Sequence, residues 1–282
     1  MSSAPLGVFD SGLGGLTVVR ALRAHLPDES IIYLGDTARV PYGTKSADTI
    51  LRYARSCAAV LTRRGVKALV VACNTASAVG VEMLRAELDL PVVGVIEPGA
   101  SAAVEIATRL SDEGDPRSGR IGVLGTARTI ASGAYARAVA TLSTRLEVIG
   151  SAAPLLVPLV EEGWLDGEVP RLAVEKYLAP LVAADVGSIV LGCTHYPLLE
   201  DVIARSAAAL SGHPVAVVDS ARATAEAVGV LLEARGLRAE KRSTTGAGAE
   251  LELLVTDVPA SFAAMAERCL GGPASEVRLV DI

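Results

Sequence analysis

A chain of 282 residues, 51% hydrophobic and 21% charged, has the apolar material for a large core and too little charge for disorder. It is about twice the length of a common single domain, so two domains are expected. A net charge of −6 and an aromatic content of 3% argue against a nucleic-acid surface, which needs basic patches and stacking rings.

The apolar runs, such as Ala68 to Ala72 and Ser188 to Gly192, are broken by polar residues well short of a membrane span. Gly7-Val8-Phe9-Asp10 reads as a first strand, not as part of a signal peptide. Four cysteines without a secretory feature do not make a disulfide framework, so a reducing cytoplasm is the expected compartment.

In chain order, strands are expected at Gly7–Asp10, Ile31–Gly35, Ala68–Ala72, Val92–Ile96, Ile121–Gly125, Leu146–Gly150, Ser188–Gly192, Val215–Asp219 and Leu251–Thr256. Helical periods fill most gaps. Between Ser46 and Arg64, Ile50, Ala54, Cys57, Ala58 and Leu61 recur three or four residues apart, with Ser46 as a start and Gly65 as a stop. Ser111 to Gly119 and the basic run Arg235 to Arg242 read as solvated loops. Strands alternating with helices imply parallel α/β sheets.

The chain also repeats itself. Gly7-Val8-Phe9-Asp10-Ser11-Gly12 matches Gly122-Val123-Leu124-Gly125-Thr126-Ala127 at an offset of 115. Tyr33-Leu34-Gly35-Asp36 matches Val148-Ile149-Gly150-Ser151 at the same offset, and Val40-Pro41 matches Val157-Pro158 at 117. Val70-Val71-Ala72-Cys73-Asn74-Thr75 matches Val190-Leu191-Gly192-Cys193-Thr194-His195 at 120, and Pro91–Val95 matches Pro214–Val218 at 123. Five matches in order imply two related α/β halves. The chain from Val215 onward either extends the second half or returns to the first.

Ligands of parallel sheets bind beyond the carboxyl ends of the strands. Cys73 and Cys193 both fall at such an end, and each is followed by residues expected to open a helix. The N–H groups and positive dipole end of a helix N-terminus favour both a bound carboxylate and a thiolate. The alternative is a small buried residue, and that is the reading for Cys57 and Cys269, which sit on apolar helix stripes. Equivalent places in a repeat favour chemistry for Cys73 and Cys193. A metal at Cys193 and His195 is disfavoured by the lack of paired Cys-x-x-Cys or His-rich spacing, and nothing in the sequence supports a redox disulfide between the two thiols.

The loop Asp10-Ser11-Gly12-Leu13-Gly14-Gly15 fits neither Gly-x-Gly-x-x-Gly nor a P-loop. Asp10 and Ser11 either cap the next helix or meet a ligand at the strand end. Pro41-Tyr42-Gly43 follows the second strand, and Pro158-Leu159-Val160-Glu161 is its counterpart. His195 stands two residues from a candidate base, where it can hold a proton near neutral pH.

These segments together resemble the glutamate racemases of the aspartate/glutamate racemase superfamily. The resemblance also runs through Gly35-Asp36-Thr37, Ala76-Ser77, Val95-Ile96-Glu97-Pro98-Gly99, Gly125-Thr126 with Thr129, Tyr196-Pro197 and Asp219-Ser220-Ala221. It implies an isomerase that interconverts L- and D-glutamate with neither pyridoxal phosphate nor metal and supplies D-glutamate for peptidoglycan. It implies an α/β fold of two pseudo-symmetric domains, each a mainly parallel sheet flanked by helices, with the active site in the cleft between them. The first domain would span 1–97 plus 212–282 and the second 98–211. Catalysis would fall to Cys73 and Cys193, assisted by Asp10, His195 and Glu161. Substrate contacts would come from Asp10, Ser11, Tyr42, Gly43, Asn74, Thr75, Thr126, Thr194 and His195. Homodimers are common in the family, and neither nucleic acid nor membrane is an expected partner. The rivals are an aspartate or hydantoin racemase, and a non-catalytic amino-acid-binding regulator on the same fold, which would need neither cysteine.

Overall fold

The computed structural model describes residues 3–240, 249–258, 262–273 and 276–282. The order is β1 Leu6–Asp10, α1 Leu16–His25, β2 Ile31–Gly35, two short 3-10 turns, α2 Ala47–Arg63, β3 Ala68–Val71, α3 Asn74–Glu87, β4 Val92–Gly94 and α4 Ile96–Asp112. A 3-10 turn leads to β5 Arg120–Gly125, α5 Ala127–Ser132, α6 Ala134–Leu142, β6 Glu147–Ala152, α7 Leu156–Glu161, α8 Glu168–Ala183 and β7 Ser188–Gly192. After another 3-10 turn come α9 Glu200–Ser211, β8 Ala216–Asp219, α10 Ser220–Ala234, β9 Leu251–Val255, α11 Phe262–Leu270 and β10 Val277–Leu279.

The chain divides into two compact units. One holds the residues up to Val95 and those from Ala221 onward, and the other holds Ile96–Ser220. The first unit contains a six-stranded parallel sheet in the order β10-β9-β2-β1-β3-β4. The second contains a four-stranded parallel sheet in the order β6-β5-β7-β8. Strands β1 to β4 and β5 to β8 therefore repeat one topology, as the drifting sequence offsets imply. β1 and β7 are buried at every residue, as central strands of a parallel sheet are when helices cover both faces.

Helix α2 shows how local sequence sets these elements. The Ser46 side chain accepts the Thr49 N–H at 3.3 Å, satisfying one orphan donor of the first turn. Ile50, Ala54, Cys57, Ala58 and Leu61 all face the core, and a side chain such as Leu61 contributes about 2 kcal/mol on burial. Gly65, at φ 72°, takes the left-handed conformation that ends the helix.

Several expectations need correction. β8 hydrogen-bonds to β7 along Ser188–Leu191, so it belongs to the second sheet, and the expected boundary at 211/212 falls instead at Ser220. β9 pairs with β2 in the first sheet, which answers where the C-terminal segment goes. β4 stops at Gly94 because Ile96 already opens α4. The stretch Ser111–Gly119 is not all loop. α4 runs to Asp112, and Asp115 caps a 3-10 turn over Pro116–Gly119 by accepting the Arg117 N–H at 2.9 Å. The basic run from Arg235 is irregular chain after Gly236 as far as Glu240, and its last two residues lie outside the described residues. Among the described residues, no helix is long and apolar enough to cross a membrane.

Glycine is required where β2 meets the β1 loop. A Cβ on Gly35 would lie 2.3 Å from the Gly12 carbonyl oxygen, which the Tyr33 hydroxyl holds at 2.8 Å. Gly35→Ala should lower stability by about 1–3 kcal/mol in urea unfolding, because a backbone oxygen cannot step aside as a side chain can. Gly119→Ala, with nothing within 4 Å of the added carbon, should stay within about 0.5 kcal/mol of the parent.

Candidate active site

In the first sheet β1 lies beside β3, while the chain leaves β1 for β2 on one side and β3 for β4 on the other. Strand order reverses there, and the backbone beyond the two carboxyl ends is left open to a ligand. Asp10 ends β1 and Cys73 follows β3, so both stand at this point. Asp10 is fully buried, and its Oδ2 accepts the Gly12 N–H at 3.0 Å. A Cβ on Gly15 would meet Asp10 Cβ at 2.4 Å and Ala72 Cβ at 3.1 Å, so only glycine lets the loop fold back over the aspartate.

Cys73 is the N-cap of α3, and its Sγ accepts the Ala76 N–H at 3.4 Å. Its thiol lies 3.5 Å from Ser11 Oγ, which brings Cys73 to the residue next to Asp10. The helix N-terminus and the donated N–H stabilise negative charge on the sulfur. Asn74 and Thr75, buried in the first turn of α3, lie directly beside it in the chain.

The loop after β2 carries Tyr42 and Gly43. Tyr42 is buried and its hydroxyl donates to Asp36 Oδ2, so that hydroxyl is already engaged within the protein. Gly43 is half-buried in a 3-10 turn spanning Tyr42–Thr44, and the Val40–Pro41 bond just before it is cis.

The second unit repeats the arrangement with different chemistry. β5 lies beside β7, and the chain after them carries Thr126 and Cys193. Thr126 caps α5 by accepting the Thr129 N–H at 3.2 Å. Cys193, contrary to expectation, does not open an α-helix. It enters a turn closed by the Tyr196 N–H on the Cys193 carbonyl at 3.1 Å, then a 3-10 turn over Tyr196–Leu199, and α9 begins only at Glu200.

An imidazole and a carboxylate line up beside it instead. His195 Nδ1 lies 3.8 Å from Cys193 Sγ and 3.5 Å from Thr194 Oγ1, while Nε2 lies 3.3 Å from Glu161 Oε1. Histidine is buried and the Glu161 side chain is 51% exposed, so the chain of groups runs from a buried thiol to solvent. Tyr196 packs below with its hydroxyl donated to the Ala153 carbonyl at 2.8 Å. Among the described residues, no three His, Cys, Asp or Glu side chains are grouped to hold a metal ion.

The other two cysteines differ. Cys57 and Cys269 are fully buried in α2 and α11. Burial, reinforced by nearby Asp36, pushes the Cys57 thiol up to about 12, which makes it a poor thiolate. Asp36, within the Gly35-Asp36-Thr37 segment, has no role assigned by residue pattern. Its only signal is an acid at a strand end beside a turn rich in Gly and Pro.

Two parallel α/β units with one strand order, each carrying a thiol after its third strand, define a repeated α/β protein with a candidate proton-transfer residue in each half. The family model for Asp/Glu/Hydantoin racemase matches residues 16–228. A glutamate racemase of Geobacter metallireducens is 48% identical over 277 residues, covering 98% of this chain and 96% of that one. The crystal structure of a glutamate racemase isoform from Bacillus anthracis superposes with a TM-score of 0.88 at 38% identity, covering 99% and 98% of the two chains. A glutamate racemase from Francisella tularensis, solved in complex with D-glutamate, gives a TM-score of 0.87 at 33% identity, covering 100% and 98%. The chain belongs to the aspartate/glutamate/hydantoin racemase family.

The buried acids of this fold set its alkaline limit. Burial raises Tyr33, Tyr42 and Tyr196 above the ordinary phenol value, as it raises Cys57 from 9.0 to about 12. The folded protein therefore keeps protons that the unfolded chain releases, so stability holds below about pH 9 and falls as pH rises toward 12. Urea midpoints at about pH 8 and about pH 10.5 should show the drop, and Cys57→Ala should make it shallower.

Proposed function

We propose that this racemase interconverts L- and D-glutamate with two cysteine bases, Cys73 and Cys193, and needs neither pyridoxal phosphate nor metal. The observation that carries the reading is the pair of thiols at equivalent strand ends of two sheets with the same strand order. Racemisation takes the Cα proton from one face and returns a proton to the other, which one base on each face accomplishes. The name of the Geobacter relative and the D-glutamate bound to the Francisella relative favour glutamate as the substrate.

The thiolate on one side removes the Cα proton, and the thiol on the other delivers its own. Cys73 acts on D-glutamate and Cys193 on L-glutamate. Each turnover leaves the two sulfurs with exchanged protonation. Asp10 assists Cys73, and His195, backed by Glu161, assists Cys193. General acid–base catalysis of this kind contributes about 10²–10⁴-fold. The remaining barrier is lowered by donors that hold the substrate carboxylates as charge develops at Cα. Ser11, Asn74, Thr75, Thr126 and Thr194 supply those contacts, and the Tyr42–Gly43 turn binds ground state and transition state alike. D-Glutamate made in the cytoplasm feeds peptidoglycan synthesis.

Purified protein should equilibrate the two enantiomers with no added cofactor and exchange the Cα proton with deuterated solvent. Cys73→Ser and Cys193→Ser should each lower kcat for racemisation by at least about 10²-fold, since serine is a far poorer base. Each should still eliminate chloride from one hand of a β-chloro glutamate, where only Cα proton removal is needed. Cys193→Ser should accept the D-form and Cys73→Ser the L-form. Cys269→Ala is the control and should keep turnover. Either active-site variant racemising at near the parent rate would end the two-base mechanism.

Specificity follows from fixed donors. Glutamate should exceed aspartate in kcat/KM by about 10²-fold or more, because the shorter acid leaves buried donors unpaired. Equal efficiency, measured by polarimetry on both acids, would place the activity in the wider superfamily.

A further inference from the structure

Asp36 takes no part in the proton transfers proposed above, yet three segments of the first unit converge on it. Its side chain is fully buried. Oδ2 accepts from Arg39 Nε at 2.6 Å and from the Tyr42 hydroxyl, and Oδ1 accepts from Thr256 Oγ1 at 3.1 Å. Its main-chain N–H donates to the Asp10 carbonyl at 3.0 Å. One residue thus touches the strand end that carries Asp10, the turn that carries Tyr42 and Gly43, and the end of β9.

The partners are themselves braced. The Arg39 guanidinium lies 4.2 Å over the Tyr53 ring of α2, and the Tyr53 ring centroid is 5.4 Å from that of Tyr42. The Ala38 N–H donates to Thr256 Oγ1 at 2.9 Å, and Thr37 Oγ1 donates to the Asp257 carbonyl at 2.6 Å. These contacts and the buried Tyr42 ring hold the segment from Thr37 to Lys45. It contains only two three-residue 3-10 turns, with the Lys45 N–H on the Tyr42 carbonyl at 3.0 Å.

We infer that Asp36 is a positioning residue for the racemisation: through the Tyr42 hydroxyl it holds the Pro41-Tyr42-Gly43 turn in register with Asp10, without itself touching substrate. The inference rests on the glutamate reading for the identity of what the turn meets. It explains why a tyrosine stands at position 42 although its hydroxyl is engaged inward. Burial, with Cys57 and Asp36 nearby, raises that phenol above its ordinary value, so the hydroxyl remains a proton donor to Asp36. A binding turn held by its own side chain presents its contacts pre-formed, and losing the anchor costs substrate affinity more than chemistry.

The test compares Asp36→Asn, Tyr42→Phe and the double variant in the full chain, with folding checked by circular dichroism. Each single variant should raise KM for glutamate about tenfold while kcat stays within about threefold. The double variant should be little worse than Asp36→Asn alone, because that substitution already disturbs the one contact that Tyr42→Phe removes, together with the Arg39 ion pair. Hydrogen exchange without substrate should be faster over residues 37–45 in both single variants and unchanged over α3. If Asp36→Asn fails to fold, Tyr42→Phe, which removes one oxygen, carries the test through the same two readouts.

Unchanged KM in both variants would overturn the inference, leaving Asp36 a purely structural residue. A collapse of kcat at constant KM would also overturn it and move Asp36 into the chemistry. Additive effects would show that Asp36 does not act through Tyr42. If the parent protein does not turn over glutamate at all, the glutamate reading fails on its own. The exchange measurement then decides the anchor, with faster exchange supporting it and unchanged exchange overturning it.

Discussion

The structure depends on one constraint of parallel sheets: where strand order reverses, two adjacent carboxyl ends have no connection crossing over them. In the first sheet those ends belong to β1 and β3, and in the second to β5 and β7. Candidate chemistry follows from this placement. Asp10, Ser11 and Cys73 stand at one such point, and Thr126, Cys193 and His195 at the other. The rest of each unit covers both faces of its sheet with helices, so that these ends are held in fixed, largely dry surroundings.

The two points are equivalent in topology and different in chemistry. Cys73 caps a fourteen-residue helix and receives a backbone N–H, so the fold itself supplies the positive end that favours a thiolate. Cys193 enters a turn that Pro197 continues as a 3-10 segment, and no long helix begins there. The His195 imidazole lies beside that sulfur instead, with Glu161 on its far nitrogen. A duplicated unit can keep a thiol in place and still change how its charge is managed, because the strand end fixes position while the following residues fix electrostatics.

Much of this is legible in the residues. Every one of the nine expected strands forms, because short β-branched runs between glycines leave few other solutions. The repeat is legible because βα units with the same strand order place like residues at like strand ends. Other features are hidden for physical reasons. β10 is a three-residue edge strand with Arg278 at its centre, too short and too polar to show a period. The unit boundary at Ser220 follows from which strand β8 pairs with, and pairing is a long-range choice that local pattern does not encode. The turn after Cys193 reads as a helix start because the small and hydroxylic residues that cap helices also build turns.

Asp36 belongs to a third kind of feature, legible as a residue and illegible as a function. An acid after a strand can cap a helix, bind a ligand or anchor a loop, and the sequence is the same in all three cases. Its meaning comes from convergence: residues 10, 42 and 256, remote from each other in the chain, meet at its main-chain N–H and two oxygens. The close approach of Gly35 to Gly12 belongs to the same junction, since a side chain at 35 would push apart the strand ends that Asp36 holds together. A strand end that keeps Asp10 buried cannot rely on a flexible loop to place the segments around it. It needs each loop tied to a strand that is already fixed, and here that tie is a fully buried carboxylate one residue beyond the end of β2.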